Sequence, residues 1–222
     1  MLGTSEKGEC IAAYFIMGRS ENSRNRVLEI KGDELFTAPA DESKVKDPSL
    51  IIYKAITDIE TASAHHLIIS NGDHTNTIAD FIRSGGDFKS ALMTRREEPD
   101  EPNFTPRISG IADFMNGDFS YKLSILKRDE SESDKCRREF FAPMKRNGKA
   151  HFIHTYAADG EPLPSFEGEP KEISIPSDID EFANLLWESL DKDNRISLYV
   201  RFTNPKTMSR AYRLINKYRK AK

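Results

Sequence analysis

Long apolar runs and an excess of basic residues are both missing from this 222-residue sequence. No stretch approaches the ~20 apolar residues that a bilayer-spanning helix needs. The opening MLGTSEKGEC also lacks the apolar segment of a signal peptide. The net charge of −3 gives the whole molecule no cationic field that would attract nucleic acid. We therefore expect neither a membrane nor a nucleic acid as a partner.

Cysteine is scarce, because the chain has only Cys10 and Cys136. The two lie far apart and belong to no C-x-x-C pair, so neither a disulfide framework nor a thiolate metal site is indicated. Two free thiols are typical of a reducing, cytoplasmic setting.

The histidines are few and poorly spaced for a metal. His65 and His66 are adjacent, so they point to opposite faces of a strand. His151 and His154 have no acidic or thiol partner nearby in the sequence. The phosphate-binding motifs G-x-x-x-x-G-K-[ST] and G-x-G-x-x-G are also absent. We expect no metal and no cofactor.

Apolar segments bounded by turn residues predict the strands. These segments are CIAAYFIMG (10–18), RVLEI and ELFTA (a hairpin around Gly32), SLIIYKAI (49–56), HHLIIS (65–70), RISGIADFM and FSYKLSILK (joined by NGD), REFFAPM, AHFIHTYA and RISLYVRF. Helices are predicted in TIADFIRSGG, from Asp87 to about Arg96, from Ser177 to Leu190, and in PKTMSRAYRLINKYRK at the end of the chain.

The strands come in blocks instead of alternating with helices. This order predicts an α+β fold with two mainly antiparallel sheets and helices outside them. No internal repeat or low-complexity linker divides residues 1–222, so we predict a single domain. The basic last segment has an apolar face of its own, which indicates a solvated amphipathic helix and not an RNA-binding element.

Several polar segments are not required by core packing. GRSENSRNR follows the first buried strand and groups Arg19, Arg24 and Arg26. A single arginine there would be an ordinary solvated side chain, but three forked donors at a strand end suit a phosphate or a carboxylate. Ser20 lies in the same segment.

A second polar segment, SNGDHTNT, joins a strand to a helix. It contains Asn71, Gly72, His74 and Thr75. Asn-Gly alone indicates a turn, whereas the free N–H groups at a helix start favour an anion or a carbonyl oxygen.

Two more segments are rich in functional groups. REEPDEPNFTPR places Glu97, Glu98, Asp100 and Glu101 beside Arg107, and HTYAADGEP places Thr155 and Tyr156 at a strand end. Neither names a reaction by itself.

Taken in order, these segments carry a resemblance. AYFIMGRSENSRNR, DPSLIIY, SNGDHTNTIAD, EPDEPNFTPRI and HTY are similar to the motifs of the archaeal-type inosine monophosphate (IMP) cyclohydrolase family and its bacterial relatives. The second of the polar segments, SNG-x-HT-x-TIAD, is the most specific. The match covers most of residues 10–160, and the last 60 residues match only loosely.

The resemblance implies a four-layer αββα sandwich of the N-terminal nucleophile hydrolase type. It implies closure of 5-formamidoimidazole-4-carboxamide ribotide to IMP with loss of water, the last step of purine synthesis, without a metal and without self-cleavage. Family members begin with a strand carrying a Y-P-G-R-G-like segment. Because the start of this sequence lacks that segment, we expect either that the start codon was set late or that the first strand is shortened.

The resemblance also implies residue roles. The reacting end of the site is expected to hold Tyr53, Glu98 and one of Arg24 and Arg26, between which the spacing does not decide. The side chains expected to bind the rest of the substrate are Arg19, Ser20, Asn71, Gly72, His74, Thr75, Arg107, Thr155 and Tyr156.

The chemistry demands these types of residue. An amide nitrogen is a poor nucleophile, so the enzyme must hold it against the formyl carbon and remove its proton, for which Glu98 is the candidate base. The developing oxyanion needs fixed donors, such as an arginine and Tyr53, and Tyr53 is the candidate acid for the leaving oxygen. For the 5′-phosphate, Arg19, Arg107 and the Asn71–Thr75 loop are the choices.

Two other functions stay open at this point. One is an amidohydrolase of the same fold that uses Cys10 as nucleophile after removal of residues 1–9, although a buried core thiol is the more ordinary interpretation. The other is a purine ribonucleotide-binding protein without turnover. The possible partners are a purine ribonucleotide and further copies of this chain.

Overall fold

The computed structural model describes residues 1–45, 48, 51–129, 131–132 and 134–218. These residues form two sheets, and all of the strand pairs within them are antiparallel. The predicted α+β class with two antiparallel sheets is confirmed. Among the described residues, no helix is both long and apolar enough to span a bilayer.

One sheet has six strands in the order β11-β10-β1-β2-β12-β13. Its strands are β1 Leu2–Thr4, β2 Cys10–Met17, β10 Lys149–Phe152, β11 Lys171–Ser174, β12 Arg195–Thr203 and β13 Arg210–Asn216. The buried strands β2 and β12 pair along their whole length at its centre.

The other sheet has seven strands that follow the chain order from β3 to β9. Its strands are β3 Arg26–Lys31, β4 Glu34–Pro39, β5 Lys54–Glu60, β6 His65–Ser70, β7 Arg107–Met115, β8 Asp118–Arg128 and β9 Cys136–Phe141. The hairpins around Gly32 and Asn116-Gly117-Asp118 lie where the turn residues predict them, and both glycines have a positive φ.

In the part of the chain that the structure describes, four α-helices accompany the sheets, and they are α1 Glu21–Arg24, α2 His74–Arg83, α3 Phe88–Met93 and α4 Ile179–Ser189. Helix α2 buries Ile78, Ala79 and Ile82 against the seven-stranded sheet, and α3 joins it there. Helix α4 packs Phe182 on the six-stranded sheet, and Asp178 caps its start.

The largest apolar cluster draws on both sheets. It includes Leu2, Ala12 and Tyr14 from the six-stranded sheet, and Leu67 and Leu123 from the seven-stranded sheet. Facing side chains of the two sheets therefore form a common core, while the helices cover the opposite faces.

The helix predicted at the end of the chain is wrong, since residues 210–216 form strand β13. Strand β12 is buried, and its free edge needs a partner for its backbone groups. A turn with Met208 at φ 56° returns the chain, so that Thr203 pairs with Arg210 and Ser197 with Asn216. Residues 219–220 of the predicted helix lie outside the described residues.

The strand predicted at 49–56 starts later than expected. Residues 49 and 50 lie outside the described residues, Ile51 is in a turn, and β5 begins at Lys54. Tyr53 therefore precedes the strand.

The first strand of the described residues is short. Strand β1 has three residues and lies inside the six-stranded sheet, where Leu2 pairs with both Ala12 and His151.

Candidate active site

Arg107 and Glu98 form the most buried ion pair of the predicted site residues. Arg107 opens β7, and its two terminal nitrogens each lie 2.8 Å from an oxygen of Glu98. Burial raises the pKa of Glu98; the charge of Arg107 lowers it, while Asp73 and Asp100 raise it further, so the pKa ends above its ordinary value. Such a carboxylate suits a proton acceptor.

The loop before α2 holds this pair in place. The Asn71 amide donates to the carbonyl of Pro106 (2.9 Å) and accepts from the N–H of Ile108 (2.8 Å). The Thr75 hydroxyl is fully buried and donates to the carbonyl of Gly72 at 3.1 Å. Both side chains, predicted to face the ligand, are instead engaged inside the protein.

His74 is also fully buried. Its Nδ1 accepts from Arg107 at 3.2 Å, which leaves the Nε2–H to donate to the carbonyl of Ile108 at 3.2 Å. Burial, followed by the Arg107 charge, lowers the pKa of His74 to about 3. A neutral imidazole therefore orients Arg107, and it does not face a ligand as predicted.

The backbone of Gly72 leaves no room for a side chain beside the pair. A Cβ at this position would lie 2.9 Å from Glu98 Oε1 and 3.0 Å from Arg107 Nη1. Any larger residue would displace the carboxylate or the guanidinium.

Tyr53 and Arg26 form a second group of predicted residues. The Tyr53 hydroxyl is buried, 2.7 Å from that of Tyr14. Burial raises the pKa of Tyr53; the charge of Arg26 and the hydrogen bond from Tyr14 oppose this, and the charge of Glu98 adds to it. Tyr53, Arg26 and Glu98 thus share one electrostatic environment, although they come from separate segments.

The other two arginines of GRSENSRNR lie differently. Arg24 donates to the carbonyl of Gly18 and to Asn194 Oδ1, both at 3.1 Å, so its guanidinium ties the loop to the region before β12. Arg19 is 44% exposed and pairs with Asp159. Ser20 caps the short helix α1 by accepting from the N–H of Ser23.

Tyr156 lies at the end of a hydrogen-bonded chain. Its hydroxyl is 2.5 Å from Thr105 Oγ1, and Thr105 in turn donates to Asp100. Arg19 and Arg26 both contribute to the electrostatics of Tyr156. The neighbouring Thr155 is half-buried, and its carbonyl accepts from the N–H of Phe166.

The sequence profile of the family described as "IMP cyclohydrolase-like protein" matches residues 1–207. This chain belongs to that family. The predicted resemblance is confirmed. Three archaeal proteins named "IMP cyclohydrolase" are similar to it. The relative from Methanopyrus kandleri is 32% identical over 117 residues, which are 51% of this chain and 56% of that protein.

The other two relatives are matched over more of their length. The Methanothrix thermoacetophila protein is 31% identical over 67% of this chain and 69% of its own, and the Methanosphaera stadtmanae protein is 24% identical over 95% and 90%. No solved structure matches the chain.

Two residues beside the site of this IMP cyclohydrolase-like protein escaped sequence reasoning. Tyr14 reads as one more apolar residue of a buried strand, and Thr105 as part of a loop. The signal that singles out Tyr14 is a phenol within a run of otherwise apolar side chains, because a buried hydroxyl needs a partner.

The Cys10 thiol is buried between β1 and β12, and burial raises its pKa to about 12. Removal of residues 1–9 would take away β1, an interior strand of the sheet. Within the described part of the chain, no group of three or more His, Cys, Asp or Glu side chains is arranged to hold a metal ion.

Proposed function

We propose that the protein is an IMP cyclohydrolase, which closes 5-formamidoimidazole-4-carboxamide ribotide to IMP with release of water. Its membership of the IMP cyclohydrolase-like family and the three named relatives support this activity. The observation that carries it is the shared environment of Tyr53, Arg26 and Glu98, which supplies an acid, a fixed cation and a base.

Ring closure begins when the carboxamide nitrogen attacks the formyl carbon. Glu98 accepts a proton from that nitrogen as the new C–N bond forms, and its raised pKa favours this role. Arg26 stabilises the negative charge that develops on the formyl oxygen. The oxygen takes the proton that Glu98 has accepted and becomes the hydroxyl of a cyclic intermediate, so Glu98 is again a carboxylate.

Water is lost in the second step. Tyr53 donates its proton to the hydroxyl, which departs as water, while the former formamide nitrogen loses its proton and becomes doubly bonded to carbon. That proton replaces the one that Tyr53 has given. The buried position of Tyr53 keeps its hydroxyl protonated at neutral pH.

The contacts of Arg107 support a positioning role for this residue. Its guanidinium already binds Glu98, Asp73, His74 and the carbonyl of Arg96. The 5′-phosphate is therefore assigned to Arg19, whose exposed side chain lies in the electrostatic neighbourhood of Tyr156.

Several coarser features belong to the same proposal. Helix α4, the two sheets and the helices α2 and α3 are consistent with the αββα sandwich of the N-terminal nucleophile hydrolases. We propose a single domain spanning 1–222, a purine ribonucleotide as the bound partner, and a reducing, cytoplasmic setting suited to the free Cys10 and Cys136. A homo-oligomer stays a prediction.

The test is a direct ultraviolet assay of IMP formation from the formamido ribotide, run with a strong chelator present. We expect full activity. Activity that disappears with chelator and returns with zinc would refute the metal-free mechanism. Nucleotide binding without any turnover would instead identify a binding protein.

A further inference from the structure

Tyr14 and Tyr53 bring two phenol groups together inside the protein, and the mechanism so far uses only one of them. Tyr14 lies on β2 of the six-stranded sheet, and Tyr53 lies just before β5 of the other sheet. Their oxygens are 2.7 Å apart, and the residues are 8% and 7% exposed. A buried hydroxyl without a partner is costly, so this contact is a firm part of the folded site.

The direction of the hydrogen bond follows from the role proposed for Tyr53. A phenol has one proton to donate, and in the proposed mechanism Tyr53 gives that proton to the leaving oxygen and not to Tyr14. The hydrogen bonds among the described residues give the Tyr14 hydroxyl no acceptor other than Tyr53. Tyr14 therefore donates, and the Tyr53 oxygen accepts.

Because the Tyr53 oxygen accepts this hydrogen bond, Tyr53 directs its own proton away from Tyr14. We propose that Tyr14 is a positioning residue, which donates to Tyr53 and thereby presents the Tyr53 proton to the leaving oxygen of the substrate. This inference rests on the proposed cyclohydrolase function. It assigns a role to Tyr14, which lies in the AYFIMGRSENSRNR segment and had no predicted role.

The electrostatics agree with this geometry. Three groups face Tyr53 from different elements: Tyr14 from β2, Arg26 from β3 and Glu98 from the loop before β7. Burial raises the pKa of Tyr53, and the hydrogen bond from Tyr14 is among the interactions that oppose this rise. Tyr14 therefore keeps Tyr53 a stronger acid than burial alone would allow.

Tyr14→Phe tests the proposal, because it removes the hydroxyl and keeps the ring. We expect kcat to fall roughly three- to tenfold, the effect of one hydrogen bond, with KM unchanged. The Tyr53 phenolate loses a donor, so its pKa rises, and the decline of kcat at alkaline pH moves to higher pH. A purely structural role of Tyr14 would not shift this alkaline limb of the plot of kcat against pH.

A double-mutant cycle tests whether Tyr14 acts through Tyr53. If it does, Tyr14→Phe in a Tyr53→Phe background causes no further loss of kcat. Losses that multiply in the double variant would overturn the proposal.

Tyr199→Phe is the matched control. Tyr199 lies opposite Tyr14 on β12, is 6% exposed, and has no place in the mechanism. We expect it to keep wild-type kcat. An equal loss in this variant would attribute the effect of Tyr14→Phe to packing and overturn the positioning role.

Two further measurements keep the outcomes separable. If Tyr14→Phe does not fold, as judged by circular dichroism, 3-fluorotyrosine at position 14 provides a stronger donor of similar size, and the alkaline limb should then move to lower pH. An unmoved limb contradicts the proposal. A wild-type protein that forms no IMP refutes the cyclohydrolase function itself. If the wild type is active but the kcat losses of Tyr14→Phe and Tyr53→Phe multiply in the double variant, only the role of Tyr14 is refuted.

Discussion

At the scale of single residues, Glu98 has the most demanding role in the proposed mechanism, because it must be both fixed and basic. We predict that Glu98→Gln lowers kcat by ~10²–10⁴, the range for a general base, with little change in nucleotide binding. Burial and nearby carboxylates raise the pKa of Glu98. As pH falls, activity should therefore be lost at a pH above ~4.3, the ordinary pKa of a glutamate. Steady-state kinetics across pH measure both effects.

The exposed neighbour Glu101 provides the control for this prediction, and Glu101→Gln should keep wild-type kinetics. Glu97 is buried and bound by Arg96, so it contributes to structure. A larger loss of kcat in Glu97→Gln than in Glu98→Gln would show that the base is assigned to the wrong carboxylate.

The three arginines of GRSENSRNR should separate by kinetic signature. Arg26→Ala removes the cation beside the formyl oxygen. That oxygen carries its full negative charge only in the transition state, so kcat should fall by ~10²–10³. Arg19→Ala should raise KM with kcat mostly intact. Arg24→Ala loses hydrogen bonds to Gly18 and Asn194 and should cost about 1–2 kcal/mol of stability, with kcat preserved. Wild-type kinetics in both Arg19→Ala and Arg26→Ala would contradict phosphate binding by Arg19 and oxyanion stabilisation by Arg26.

At the scale of elements, Asn216 on β13 completes the edge of the neighbouring sheet. Its side-chain amide accepts from the N–H of Leu28 at 2.9 Å and donates to the carbonyl of Leu28 at 3.0 Å. Leu28 is two residues beyond Arg26 on β3, so this bridge holds the strand that carries Arg26, the arginine proposed to act in catalysis.

The sign of the stability change caused by Asn216→Ala distinguishes strand β13 from the helix predicted there. In a helix, Asn216→Ala would be stabilising, because alanine has the higher helix propensity. In the strand it leaves the backbone groups of Leu28 without a partner, and we predict a loss of about 1–3 kcal/mol in urea denaturation. Asn147→Ala, which removes only a long contact to the carbonyl of Glu6, should change little.

The same element shows where sequence reasoning ends. In RAYRLIN, the apolar residues Tyr212, Leu214 and Ile215 fit a helical face, yet residues at every second position fit a strand equally well. The need of β12 for an edge partner decides between them, and this is a long-range requirement that local periodicity cannot contain. The β7–β8 hairpin was predictable because Asn116-Gly117 fixes its turn locally.

In the candidate site, too, some features were predictable from the sequence and others were not. Motif order brought Tyr53 and Glu98 to attention. Sequence reasoning could not tell that Asn71, His74 and Thr75 turn inward, because a polar loop looks the same whether it binds a ligand or a neighbouring strand. Only the position of β7 beside the loop makes them supports of Arg107.

At the scale of the whole molecule, the two sheets are joined by a buried ion pair as well as by apolar packing. Arg201 on β12 donates to both oxygens of Asp58 on β5, at 2.6 and 2.7 Å, and the side chains are 2% and 8% exposed. His65 adds a third contact to this carboxylate at 2.7 Å. The pair fixes the relative position of the sheets that carry Tyr14 and Tyr53.

We predict that Asp58→Asn costs about 3–5 kcal/mol, because it leaves the Arg201 charge buried without its partner. Replacing both residues by apolar side chains of similar volume should restore most of this stability. Asp80→Asn at the exposed pair with Arg83 should cost less than about 1 kcal/mol. Chemical denaturation of the four proteins gives the comparison, and a double variant no better than Asp58→Asn would contradict it.

The same pair predicts how stability depends on acidity. Burial alone would raise the pKa of Asp58, but the hydrogen bonds from Arg201 and His65 outweigh burial and lower the pKa to about 2. A depressed carboxyl pKa stabilises the fold fully above its unfolded value of ~3.9, and that stability is lost as pH falls toward 2. The shift corresponds to about 2 kcal/mol. Denaturation midpoints measured between pH 5 and pH 2 should therefore fall less steeply in the apolar double variant than in the wild type, and parallel curves would mean that other carboxylates set the acid limit.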